Sequence, residues 1–180
     1  MSAPVLNTDH LIIRAFQRKD LEQFARYRAS DAVARYQSWT DFTYNDAVEL
    51  FESTDYSTFG RQGSWYQLAI TTCQEDELVG DLAVFFAGQD QVEIGFTIAP
   101  QHQHQNIASE AVSRLLDYLF GDLCKHRVVA TTDARNTAAN RLLEKLGFGR
   151  KRQLTQSVFF KGEWAEEYRW VLLSSEEKFT

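Results

Sequence analysis

The chain has 180 residues, 44% of them hydrophobic and 13% aromatic, with only two prolines, which suits one sizeable core and excludes a disordered or collagen-like polymer. Lys and Arg number 19 against 25 Asp and Glu, a net charge of −6 without the basic stripe that duplex binding uses, so no nucleic-acid partner is expected. The acidic balance is compatible with a cationic amine substrate, and equally with an ordinary soluble protein.

Cys73 and Cys124 stand far apart, and His10, His102, His104 and His126 lack partners at zinc-ligand spacing, so no metal is expected. No run approaches the ~18 apolar residues of a membrane span. The opening Met-Ser-Ala-Pro-Val has neither the basic flank nor the apolar run of a leader, and a cytoplasmic location is expected.

In chain order, Leu11, Ile12 and Ile13 form a short strand closing at Arg14-Ala-Phe16. Asp20 opens a helix with Leu21, Phe24, Ala25 and Arg28 on one face. Residues 31–39 read as a short helix running into a loop, and 46–59 as a further helix offering Val48, Leu50 and Phe51 for packing. The period then falls to two. Residues 65–71, 78–86 and 91–98 read as strands joined by Gln74-Glu-Asp-Glu77 and Ala87-Gly-Gln-Asp90, an antiparallel meander.

From Asn106 the period is helical again, with Ala108, Ala111, Val112, Leu115, Leu116 and Leu119 recurring and Gly121 as the stop. Arg127-Val-Val-Ala-Thr131 is a buried strand, parallel to its neighbour because a helix separates them. A helix over 137–146 ends at Gly147; the tail alternates over 154–160, turns at Lys161-Gly-Glu163 and returns over 168–173. The order β-α-α-β-β-β-α-β-α-β-β, without repeat or linker, predicts one mixed α/β domain over residues 1–180.

The segment Ile94-Gly-Phe-Thr-Ile-Ala-Pro-Gln-His-Gln-His-Gln-Asn-Ile-Ala-Ser-Glu110 carries the most chemistry. It runs from a strand through a polar loop into an amphipathic helix. The first amides of a helix lack internal partners and the dipole adds positive charge there, which suits a pyrophosphate. An ordinary crossover to a parallel strand reads equally well from this segment alone.

Further motifs extend the pattern. Thr8-Asp-His-Leu-Ile-Ile-Arg14, Val33-Ala-Arg-Tyr36, Leu78-Val-Gly80, Val92-Glu-Ile-Gly95, Gln103-His-Gln-Asn-Ile-Ala108, Asn136-Thr-Ala-Ala, Glu144-Lys-Leu-Gly-Phe148 and Gly162-Glu-Trp164 follow one another along nearly the whole chain. In that order they resemble the RimJ/RimL-like branch of the GNAT N-acetyltransferases. The resemblance implies a central, mostly antiparallel twisted sheet with one parallel pair at the cofactor site and helices on both faces. It implies acetyl-CoA as co-substrate and a primary amine, small or at a protein N-terminus, as acceptor, attacked directly in a ternary complex.

Laid on this chain, the resemblance places Phe96, Thr97 and Ile98 along the pantetheine arm. It sets Gln103, His104, Gln105, Asn106, Ile107, Ala108 and Ser109 around the pyrophosphate, and Asn136 on the far side of the arm. Glu93 is the candidate base, by position beside the acetyl group; a solvent-facing strand residue is the alternative. Arg35, Tyr36, Trp39 and Trp164 are candidates for the acceptor pocket, or else ordinary core and rim residues.

The sequence departs from the pattern in three places. Asn106 stands where the loop usually has Gly, and Asn is the next best residue for left-handed backbone. Leu143 and Ala139 occupy the positions where relatives carry a Tyr or Ser as the acid, so catalysis should slow rather than vanish. These departures motivate a second reading, an acyl-CoA-binding sensor without turnover. A dinucleotide oxidoreductase is excluded by the lack of a G-x-G-x-x-G after the first strand. The assembly is left between monomer and homodimer.

Overall fold

A computed structural model describes residues 1–151 and 156–175. Its strands are β1 (Leu6–Asn7), β2 (Leu11–Ala15), β3 (Trp65–Thr72), β4 (Leu78–Phe86), β5 (Gln91–Ile98), β6 (Arg127–Asp133), β7 (Gly149–Arg150), β8 (Gln156–Phe160) and β9 (Glu163–Leu173). They form one sheet in the order β1-β2-β3-β4-β5-β6-β9-β7, with β8 hairpinned onto β9. Among the described residues every pairing is antiparallel except β5 with β6, as the intervening helix requires. The predicted meander is β3–β4–β5. The short β1 and β7 were not legible, since two-residue bridges carry no period. The predicted strand over 154–160 begins outside the described residues.

The helices are α1 (Leu21–Arg28), α2 (Asp31–Ala34), α3 (Tyr44–Ser53), α4 (Ile107–Asp117) and α5 (Thr137–Lys145). Helix α2 gives way to a loop within the 31–39 segment, as predicted, and there Trp39 donates its indole N–H to the Arg28 carbonyl at 2.9 Å. Helix α3 starts two residues before Asp46, since Thr43 and Asp46 form a reciprocal capping box. It ends at Ser53, where the Ser53 and Thr54 hydroxyls turn back onto the Leu50 carbonyl. Gly121 does not stop the helix after α4: a π-turn over Tyr118–Asp122 carries the chain through it, and left-handed Cys124 (φ +50°) breaks the run.

Alternation along the strands builds two cores. On one face Leu68, Ile70, Leu82, Val84, Phe86, Val92 and Ile94 meet Ala111, Val112, Leu115 and Leu119 of α4. On the other, Phe16, Leu21, Phe24, Tyr27, Val33 and Ala47 gather over Ala69, with α1 against α3. Buried Arg14 fastens this second layer, donating two bonds to buried Asp20 at 2.8 and 3.0 Å and a third to Asp76 at 3.0 Å.

Candidate active site

Strands β5 and β6 pair only from Gln91↔Arg127 to Ile94↔Ala130. Beyond that point each follows its other neighbour, β5 to Ile98 with β4 and β6 to Asp133 with β9. The two facing edges, residues 95–98 and 131–133, are thus left without a common ladder. A cleft of about 560 Å³ opens there.

Phe96, Thr97, Ile98, Gln103, His104, Asn106, Ile107, Ala108, Ser109 and Asn136 all line this cleft. Gln105 does not; its side chain turns away to donate to the Gln101 carbonyl at 3.3 Å. Gln103 donates to the Ile98 carbonyl at 3.1 Å, folding the loop against the end of β5. His104 (φ +61°) and Asn106 (φ +63°) both adopt left-handed backbone. The first backbone bond of α4 runs from Glu110 N–H to the Asn106 carbonyl at 3.1 Å, and the Asn106 side chain makes no cap. The amides of residues 107–109 therefore lie in the unpaired first turn of a helix, on the wall of a cleft. That geometry fits a pyrophosphate.

Across the cleft, the Asn136 side chain accepts from the Ala139 N–H at 3.3 Å, capping α5. Asn140, not singled out from sequence, pins α5 to β6: it accepts from Thr132 Oγ1 at 2.5 Å and donates to the Asp133 and Ala134 carbonyls at 3.3 and 3.1 Å. Trp170 donates to the same Thr132 hydroxyl at 2.9 Å. Ala139 lines the cleft, while Leu143 is fully buried in the core.

Glu93 pairs with Phe85 on one side and Val129 on the other, one residue before the ladder stops. It is half-buried, and Thr131 Oγ1 donates to it at 3.5 Å. By alternation Glu93, Thr131, Asp133 and Glu167 share one sheet face, the face that carries α1 and α3 further along. Burial and the negative charges of Asp133 and Glu93 push the Glu167 carboxyl above its ordinary pKa.

Of the four acceptor-pocket candidates the structure groups two. Tyr36 lines the cleft and, with Arg35, a second cavity of about 330 Å³. Trp39 lies instead against the second core, its ring stacked 3.9 Å from the Arg28 guanidinium. Trp164 is 73% exposed and packs edge-on against exposed Phe159 on the hairpin. Arg135 was missed, although it lines both cavities. It clamps Asp133 with bonds of 3.0 and 2.8 Å and reaches Glu163 at 3.0 Å. The bonds from Arg135, outweighing burial, hold Asp133 below the ordinary carboxylate range. Only its place after the β6 edge could have marked it.

The family profile described as an acetyltransferase (GNAT) domain matches residues 10–149. The chain belongs to the GNAT acetyltransferase family. It is 27% identical over 172 residues to the uncharacterized N-acetyltransferase YnaD of Bacillus subtilis, covering 95% of this chain and 98% of that protein. A GNAT-family acetyltransferase from Bacillus anthracis superposes with a TM-score of 0.82 at 26% identity, over 94% and 98% of the two chains. A spermidine N-acetyltransferase from Vibrio cholerae, solved with CoA and spermine, shares the fold with a TM-score of 0.80 at 22% identity, over 93% and 98%. The protein is an N-acetyltransferase with the GNAT sheet, mostly antiparallel and with one parallel pair. Among the described residues no group of three His, Cys, Asp or Glu side chains could hold a metal, and no helix is long and apolar enough to cross a membrane.

Proposed function

We propose that this GNAT domain, in the RimJ/RimL-like manner, moves the acetyl group of acetyl-CoA to a primary amine by direct attack in a ternary complex. The observation that carries this reading is the divergence of β5 and β6 beyond Ile94↔Ala130, directly over a cleft lined by the unpaired first turn of α4. The edge of residues 96–98 can take an extended pantetheine arm as a sheet takes a strand. The left-handed backbone at His104 and Asn106 brings the chain into the helix so that residues 107–109 offer their amides to phosphate.

The thioester supplies an acyl carbon that is already activated. Attack forms the C–N bond and breaks C–S, with the electron pair leaving on sulfur. The residues must hold the amine in line and accept its proton. Glu93, at the end of the parallel ladder, is the proposed base, and Glu167 on the same face holds its own proton more tightly than an ordinary carboxylate. Neither Ala139 nor Leu143 can return a proton to sulfur, so solvent or another group does so.

Calorimetric titration with acetyl-CoA, followed by thiol release across an amine panel, tests the reading. Binding with turnover on some amine is expected. Binding without any turnover would favour the sensor reading, which the alanine at 139 and the buried leucine at 143 motivate. No binding would sink both.

A further inference from the structure

Beside the coenzyme cleft lies the second cavity, of about 330 Å³, lined by Arg35, Tyr36, Arg135, Phe160, Lys161 and Glu163. Tyr36 and Arg135 belong to both cavities, so the two are contiguous. Three of its six lining residues are cations and one is an anion, in a protein whose net charge is −6. Chance would favour the reverse.

Two of the three cations are not consumed by internal pairs. Arg135 is neutralised by Asp133 and Glu163. Arg35 is exposed and meets only the Tyr36 ring, 6.0 Å from its centroid; among the described residues no carboxylate pairs with it. Lys161 donates to the Ala34 carbonyl at the end of α2 and lies 5.3 Å from the Phe160 ring, likewise without a carboxylate among the described residues. That ammonium is placed at some cost. Lys161 has φ +49° and Gly162 φ +81°, a tight turn in which Gly, Asn or Asp is the usual first residue. The bond onto α2 fastens this lysine on the cavity wall.

Arg135 ties the cavity to the parted edge of β6 through Asp133. Glu93, Asp133 and Glu167 share the sheet face at the point where the strands part. An acceptor reaching from one region to the other would meet carboxylates at its amine and cations at its far end.

We propose that the acceptor is a small amine that also carries a carboxylate, of amino-acid size, and that Arg35 and Lys161 seat this carboxylate while the amine points toward Glu93. The inference rests on the acetyl-transfer reading above and narrows its substrate class. A guanidinium suits a carboxylate because its fork matches the two oxygens. A volume of about 330 Å³ suits a small molecule better than a peptide chain.

The test uses the full-length protein and the twenty standard L-amino acids, the carboxamides of phenylalanine, leucine and glutamate, and spermidine. Thiol release at saturating acetyl-CoA is one readout. Calorimetric titration of the same compounds into the CoA-saturated protein is a second that needs no turnover. At least one free amino acid should exceed both its neutral amide and spermidine by tenfold or more in kcat/KM or in affinity. Arg35→Ala and Lys161→Ala should each raise the KM or Kd for that amino acid about tenfold and leave the affinity for acetyl-CoA unchanged, with Arg35→Lys, which keeps the charge and loses the fork, recovering only part of the loss.

Preference for amides or spermidine would overturn the proposal, as would no amino acid binding in either readout. So would variants that weaken acetyl-CoA instead, since the cations would then serve a coenzyme phosphate. Failure of acetyl-CoA itself to bind would sink the acetyl-transfer reading, and carboxylate binding lost in Arg35→Ala would stand apart from it.

Discussion

Asn106 holds φ +63° at the entrance to α4, a conformation in which a β-carbon crowds the following carbonyl. Asparagine tolerates it and alanine does not. Replacing Asn106 with Ala should cost about 1 kcal/mol, whereas Gly should stay within about 0.5 kcal/mol, read as shifts in the urea midpoint at constant m. The identity of residue 106 made its backbone legible in advance. His104, equally left-handed, carried no such signal, because its conformation is imposed by the loop folding back through Gln103 onto Ile98. Glu93 belongs to the same scale. If it takes the proton, Glu93→Gln should lower kcat by about 10²-fold or more and leave the affinity for acetyl-CoA nearly unchanged, in steady-state kinetics with the best amine found.

At the scale of elements, the cleft depends on how closely β4 supports β5. A β-carbon on Gly80 would lie 2.4 Å from the Thr97 carbonyl oxygen, a backbone atom with little freedom to retreat. Gly80→Ala should therefore cost about 1–3 kcal/mol and also weaken acetyl-CoA, because Thr97 lines the cleft; thermal melts and calorimetry check the two effects. The loop is held from behind as well. Glu110 of α4 accepts from the Thr8 hydroxyl at 2.5 Å and from the His10 backbone and ring at 3.1 Å, tying the β1–β2 turn to the helix. Burial alone would raise the Glu110 carboxyl, but these bonds outweigh it and leave its pKa below the ordinary value. The strand and helix periods were readable because burial alternates every two residues or every three to four. The path of the loop after α2 was not, since there the Trp39 indole reaches back to Arg28.

For the whole molecule, charge decides how stability follows pH. Asp76, Asp133 and Glu110 have depressed pKa values when folded: for Asp76 and Glu110 burial acts upward but is outweighed, by Arg14 and Lys19 and by Thr8 and His10, while at Asp133 Arg135 leads. Their stabilisation is complete above the unfolded carboxylate range and is lost as pH falls below about 4 through the folded values, so acid unfolding should begin there. Glu167 runs the other way. Burial, Asp133 and Glu93 raise its folded pKa, so it opposes folding once pH rises above the unfolded value. Glu167→Gln should therefore raise Tm at pH 7, and the gain should vanish near pH 4, where wild-type Glu167 is largely protonated in both states. A scan of Tm against pH for both proteins separates the two signs.

The amino-acid sequence by itself determined the run of strands and helices, the parallel step after α4 and the loop that lines the cleft, because periodicity, turn residues and helix starts are local properties. Only the tertiary structure decided where β5 and β6 part, that Trp39 packs into a core while Arg135 and Tyr36 join two cavities, and that Arg35 and Lys161 line one cavity. The last of these depends on residues 126 positions apart being brought together by the closing hairpin, and no local pattern encodes such a meeting.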